Sequence, residues 1–281
     1  MLNDIICIRN NMLYGAIFGD IAGSKYEFNA AKGNDFKLVP EGSRFTDDTV
    51  MTLAVAKWLM NSKGHLSCDL EDEMQFFGGK YPRAGYGGMF RKWLVSSNPQ
   101  PYNSFGNGSA MRVCACGWVS DDINEVLKLA RKSAEVTHNH PEGIKGAQAV
   151  AMSIWMARTA KQKLDYTPES IKQTIKKGIS SIYNYDLDRT IDEIINSGYR
   201  FNETCQGSVP EAIIAVLEST DFESAIRNAI RLKGDADTQA CIAGSIAEAI
   251  YGFPEDFMGV VRNKLDPFLL HIVEEFNQKY K

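Results

Sequence analysis

The chain lacks most of the features that settle a function class early. Of its 281 residues only four are histidine and six are cysteine. The cysteines, Cys7, Cys68, Cys114, Cys116, Cys205 and Cys241, are scattered, with C-x-C as their tightest spacing. That spacing excludes a zinc ribbon and a C-x-x-C redox pair. Free, partly buried thiols in a reducing compartment are the expectation. No run approaches the roughly 18 uninterrupted apolar residues of a membrane span. The opening Met-Leu-Asn-Asp-Ile-Ile-Cys has an early acid where a signal peptide has a basic stretch followed by an apolar one. Basic charge is not in excess, since the formal net charge is −4, so the electrostatic footprint of a nucleic-acid grip is missing. Strand-like alternation is scarce, and neither a βα alternation nor a fixed repeat occurs. A cytoplasmic monomer that holds neither membrane nor nucleic acid is what these absences leave.

What is present is ordinary for a globular core, with 44% apolar and 23% charged residues, arranged mostly at helical spacing. Helix start signals recur: Thr46 and Asp47 before VMTLAVAKWLM, Asp121 and Asp122 before INEVLKLARKSAEV, Thr167 before Pro168 and Glu169, Asp188 before RTIDEIINSG, Pro210 before EAIIAVLES, Asp221 before FESAIRNAIRL, and Asp237 with Thr238 before QACIAGSIAEAIYG. The last of these stops at Gly252, with Pro254 just beyond. About nine or more helices in one domain over residues 1–281 are expected, because no linker divides the chain. From Gly78 to Ser109 the chain reads as an irregular segment rich in glycine, proline, serine and asparagine, with aromatics between. Loops of that length are functional or disordered, and the aromatics argue against disorder.

Two acidic clusters stand out, Thr46-Asp47-Asp48-Thr49 and Asp235-Ala236-Asp237-Thr238. Each opens a helix, so capping accounts for one side chain in each. Two carboxylates flanked by hydroxyls exceed what a cap requires, and they repel unless a cation neutralises them. If the two helix starts converge, the oxygens suit Mg²⁺, Mn²⁺ or Ca²⁺, not zinc or copper. Gly15, Gly19 and Gly23 form a bare ridge at i, i+4 and i+8, which reads as close helix packing. Asp20 and Glu27, on and just beyond that ridge, are less easily explained by packing. Phe105-Gly106-Asn107-Gly108-Ser109 offers backbone N–H groups suited to phosphate, or a plain glycine turn. His138 and His140 offer a metal pair or, more commonly, capping and hydrogen bonding.

Taken in order, GDIAGSKYEF, FTDDTVMTLAVA, SFGNGSAMRV, THNHPEG and GDADTQACIAGSIAEAIYG resemble the ADP-ribosylglycohydrolase family from about Gly15 to Gly252. The resemblance implies an all-α, single-domain orthogonal helical bundle with two divalent metal ions, Mg²⁺ or Mn²⁺. It implies that Thr46, Asp47 and Asp48 ligate one ion and Asp235, Asp237 and Thr238 the other, with Asp237 shared. Glu27 matches a glutamate that reaches the second ion and gates the site. Ser104, Phe105, Gly106 and Asn107, with the adjoining Gly108, match a loop that holds the diphosphate and distal ribose, and His138 matches a histidine beside the ligand. The implied activity is hydrolysis of the glycosidic bond between ADP-ribose and an acceptor, an ADP-ribosylated protein with arginine N-linkage favoured over serine O-linkage. Asp47 and Glu27 are the candidates for acid–base work. No residue matches the extra acid that some members use near the scissile bond; Glu71, Asp72 and Glu73 lie in its region and read as a solvated helix face. The alternatives are a catalytically silent ADP-ribose-binding or structural protein on the same fold, and a metal-dependent nucleotide phosphohydrolase.

Overall fold

The computed structural model describes residues 11–31, 33, 35–62, 69–162 and 166–280. Cys7, Cys68 and the opening segment read above against a signal peptide lie outside them. Fourteen α-helices run through the described residues: α1 (Tyr14–Gly23), α2 (Asp47–Ser62), α3 (Leu70–Lys80), α4 (Gly88–Leu94), α5 (Gly108–Met111), α6 (Ile123–Glu135), α7 (Pro141–Lys161), α8 (Pro168–Tyr183), α9 (Ile191–Asn196), α10 (Cys205–Leu217), α11 (Phe222–Arg231), α12 (Ala236–Tyr251), α13 (Glu255–Lys264) and α14 (Pro267–Lys279). No strand occurs among the described residues, and a single antiparallel bridge joins Gly106 to Thr204. No helix among them is long and apolar enough to cross a membrane.

Most of the expected helix starts are where the capping residues put them. Asp122 accepts from Asn124 N, Thr167 and Ser170 cap each other reciprocally, and so do Asp221 and Ser224. Gly252 closes α12 at φ 83°, where a Cβ would be strained. Three expectations are corrected. Asp188 does not open α9; Thr190 does, because its capping box with Glu193 satisfies two backbone donors and Asp188 offers no such pair. Pro210 does not open α10 but lies inside it, since Thr204 caps that helix by accepting from Gly207 N. The segment from Gly78 to Ser109 is only partly irregular: α3 extends to Lys80, and the short helices α4 and α5 interrupt the loop.

Helix α12 is the centre of the bundle. It is buried over nearly its whole length and packs against α1, α2, α5, α7, α8, α10 and α11. Its seam with α1 is close and antiparallel. A methyl placed on Gly15 would lie 2.3 Å from the Gly244 carbonyl oxygen, one on Gly19 2.0 Å from that of Ala240, and one on Gly23 2.4 Å from that of Ala236. The bare ridge is therefore a packing device. It also fixes where α1 stands along α12, and so where Asp20 stands relative to Asp237. The four described cysteines, Cys114, Cys116, Cys205 and Cys241, are free and buried.

Candidate metal centre and adjoining cavity

The start of α2 is held by a carboxylate from another helix. Asp20, fully buried on α1, accepts from Thr46 N at 2.8 Å, Thr46 Oγ1 at 2.7 Å, Thr49 N at 3.1 Å and Thr49 Oγ1 at 2.5 Å. With the hydroxyls of Thr46 and Thr49 so engaged, Asp47 and Asp48 are free to face elsewhere. Asp48 places Oδ2 3.4 Å from the Thr238 hydroxyl, which bridges the two acidic clusters, while its buried Oδ1 has no hydrogen-bond partner. At the start of α12, Asp235 accepts from Asn107 Nδ2 at 2.8 Å and Asp237 accepts from Thr238 N at 3.0 Å.

The two helix starts thus converge. Carboxylate oxygens of Asp20, Asp48 and Asp237 lie within 4.8 Å of one another, and so do those of Glu27, Asp235 and Asp237. Asp237 belongs to both groups. Among the described residues no lysine, arginine or histidine forms an ion pair with any of these acids or with Asp47. Burial, reinforced by Asp237 and Asp20 nearby, pushes Asp47 up to about 8. Burial and the Asp237 charge push Glu27 to about 7, and burial pushes Asp235 to about 6. Asp20, Asp48 and Asp237 are also raised, chiefly by burial. Carboxylates crowded and dehydrated in this way are costly to ionise without a counter-charge. The donor set is all hard oxygen with an orphaned Asp48 Oδ1, which fits divalent cations of the Mg²⁺ or Mn²⁺ kind and not soft metals.

A cavity of about 450 Å³ opens beside the acids. One wall is Glu27, Asp47, Asp48, Asp235, Asp237 and Thr238; another is Ser104, Gly106, Asn107, Gly108 and His138. The second wall is pinned to the loop before α10, because Asn107 N donates to the Glu203 carbonyl at 2.7 Å and Cys205 N to that of Phe105 at 2.9 Å. Two expected site residues are not on the lining. Thr46 sits behind the acids with its hydroxyl on Asp20, and the Phe105 ring, 45% exposed, packs 5.3 Å from the His140 ring. His140 is a cap, accepting from Glu142 N at 3.1 Å, so the two histidines do not form a metal pair. Glu71, Asp72 and Glu73 are on α3, away from the lining; the nearby chain reaches the cavity through Gly85, Gly87 and Gly88 instead.

Sequence reading missed several lining residues, among them Arg112, Tyr102 and Glu203. Arg112, three residues past Ser109, had a signal, a lone basic residue in an otherwise apolar stretch. Glu203 had none, since only the fold brings its loop to the cavity. Asp20 was noticed as unexplained by packing but not as a member of a metal group.

The chain matches the sequence profile of the ADP-ribosylglycohydrolase family over residues 10–280. It is 25% identical to the ADP-ribosylhydrolase ARH3 of Mus musculus over 313 residues, an alignment covering 86% of this chain and 83% of that protein. Against the Homo sapiens protein of the same name it is 25% identical over 311 residues, covering 86% and 85%. It is 23% identical over 280 residues to the ADP-ribosylarginine hydrolase Tri1 of Pseudomonas putida, covering 85% and 69%. A solved structure described as an ADP-ribosylglycohydrolase-related protein complex superposes with a TM-score of 0.69 at 21% identity, over 97% of this chain and 96% of that one.

Proposed function

The chain belongs to the ADP-ribosylglycohydrolase family, and from that premise we propose that it hydrolyses the glycosidic bond joining ADP-ribose to an acceptor, an arginine side chain of a modified protein in preference to a serine. The observation that carries this reading is one cavity lined by convergent carboxylates and by an adjoining glycine-rich turn, which Asn107 ties to Asp235. The favoured arginine linkage is supported by carboxylates on the cavity lining, the exposed Glu203 and the half-buried Glu27, which suit a cationic guanidinium. It is also supported by the name of the Pseudomonas putida relative. A monomer acting in the cytoplasm is part of the same reading.

Thr46, Asp47 and Asp48 would hold one cation and Asp235, Asp237 and Thr238 the other, with Asp237 shared; Asp20 beside Asp48 and Glu27 beside Asp235 bring further carboxylate oxygens to the two groups. Bound cations would supply charge to orient the ribose hydroxyls and to acidify a water. In the hydrolysis the water oxygen bonds to the anomeric carbon, the bond to the acceptor breaks, and one proton passes from water to the departing nitrogen, through a transition state of oxocarbenium character. We assign that proton transfer to Asp47 or Glu27. Both line the cavity and are partly open to it, within reach of a water at the acidic cluster. Ser104, Gly106, Asn107 and Gly108 receive the diphosphate and distal ribose.

The test is a panel of ADP-ribosyl-arginine, ADP-ribosyl-serine and O-acetyl-ADP-ribose with Mg²⁺ or Mn²⁺, the product identified by mass. Free ADP-ribose from the arginine conjugate is expected. Binding without turnover of any conjugate would identify a silent binding protein, and AMP or phosphate as product a phosphohydrolase.

A further inference from the structure

Arg112 is the one lysine or arginine among the described residues that line the cavity. Its side chain is 1% exposed and has no carboxylate partner among the described residues. Nη2 donates to the Ser133 carbonyl at 2.6 Å and to the Thr137 hydroxyl at 2.8 Å. Thr137 Oγ1 in turn lies 2.7 Å from His138 Nδ1. A guanidinium can only donate, so the threonine oxygen accepts from Arg112 and its single hydrogen points elsewhere. His138 Nδ1 is the acceptor within reach. The other ring tautomer would leave a fully buried hydroxyl proton unpaired. Nδ1 is therefore bare and Nε2 carries the hydrogen.

The peptide around this relay is also fixed. Thr137 N donates to the Ala134 carbonyl at 3.1 Å, and the Thr137 carbonyl accepts from Tyr102 N at 3.3 Å and Ser104 N at 3.4 Å. His138 Nε2 has no hydrogen-bond partner among the described residues, although the side chain is 95% buried by the 5% exposure of His138. It faces the glycine turn: a methyl on Gly108 would lie 3.3 Å from it and one on Gly106 3.6 Å. The two glycines leave that nitrogen open to the cavity, which His138 lines.

We propose that Arg112 and Thr137 are positioning residues that fix His138 as a neutral Nε2–H donor to an anionic oxygen of the substrate diphosphate. This rests on the reading of the cavity as an ADP-ribosyl site. The positive charge at the buried end polarises each bond of the relay in the same direction, and an anion gains most from a donor strengthened in this way. His138 Nε2 faces the Gly106–Gly108 turn, the part of the lining that the proposed function gives to the diphosphate. Burial and the Arg112 charge both hold the imidazole neutral, with its pKa well below the ordinary range.

Four histidines in the chain make ¹⁵N NMR of the imidazoles tractable, with His138 assigned by comparison with His138→Gln. The native protein near neutral pH should show His138 as the Nε2–H tautomer. Thr137→Val should lose that signature and weaken ADP-ribose binding about tenfold, the value of one hydrogen bond to a charged group. Thr137→Ser should restore both. An Nδ1–H tautomer or an imidazolium in the native protein would overturn the relay, as would Thr137→Val binding ADP-ribose as tightly as the native chain. Failure of the native chain to bind ADP-ribose would overturn the functional reading and the diphosphate assignment with it, while the tautomer of the native protein would still decide the relay. That measurement on the native chain stands even if the valine variant does not fold.

Discussion

Gly15, Gly19 and Gly23 face the backbone of α12 at distances that admit no side chain, whereas Gly87 and Gly88 line the cavity with nothing within 4 Å of where a Cβ would be. The first row is required by the protein itself. The second meets no neighbouring atom among the described residues, so a side chain there would reach into the cavity without disturbing the packing. The carboxylates also differ from one end of the seam to the other. Glu248, fully buried on α12 at the far end of the seam, has its pKa raised by burial, opposed by the backbone N–H groups of Leu13, Tyr14 and Gly15 at the start of α1. At the other end of the same helix pair, Asp20, Asp48, Asp235 and Asp237 crowd together; Asp48 and Asp237 are raised first by burial and then by the neighbouring acids. Both Glu248 carboxylate oxygens are buried without a hydrogen-bond partner, as Asp48 Oδ1 is; the two ends differ in that several acids converge at one and a single acid stands at the other.

Four measurements separate the packed seam from the acidic end. The largest effect belongs to the seam. Gly19→Val should cost about 3 kcal/mol or more, beyond ordinary overpacking because the new atoms meet backbone and not a flexible side chain; thermal unfolding reads it, and a native-like melting temperature would refute the rigid seam. Next comes Asp237→Ala, which removes the carboxylate common to both acidic groups. Release of ADP-ribose should fall by at least about 100-fold, while the cation-free protein melts higher than the parent because a buried repulsion is relieved.

The third effect is that of pH on the cation-free protein. Asp47, Glu27 and Asp235 have folded-state values of about 8, 7 and 6, above their ordinary 3.8, 4.5 and 3.8. The native state therefore binds more protons than the unfolded chain between roughly pH 4 and 8. Stability is fully present below that window and is lost as pH rises through it, so melting in EDTA should be lower at pH 8 than at pH 5. Added Mn²⁺ should flatten the dependence, since it favours the ionised carboxylates. The smallest effect on the fold is that of Gly87→Ala. With φ at −59° and open space for the methyl, stability should be unchanged or raised by up to about 1 kcal/mol. The Michaelis constant should rise about tenfold if the methyl stands where substrate binds.

Much of this was legible in the residue order because it is local. A cap such as Thr167 before Pro168, or Asp221 before an amphipathic run, announces itself within four residues. Pro210 misled because proline favours a first turn, while the weak signal of Thr204, followed by Cys-Gln-Gly-Ser, carries the real start of α10. In the site, the excess of carboxylates at Asp47, Asp48, Asp235 and Asp237 was visible as soon as capping was counted. Asp20 as a partner of Asp48 and Asp237 was not, because that partnership exists only once the glycine seam sets α1 against α12. Glu203 was missed for the same reason, since only the fold brings its loop to the cavity, whereas Tyr102 and Arg112 flank the Ser104–Gly108 loop and were within reach of the sequence.

Chelation separates a divalent-cation centre for ADP-ribosyl hydrolysis from a site that works without metal. With ADP-ribosyl-arginine protein as substrate, release of free ADP-ribose should cease in EDTA and return when Mg²⁺ or Mn²⁺ is restored in excess. Undiminished release in EDTA from protein stripped of divalent ions would contradict the divalent-cation centre.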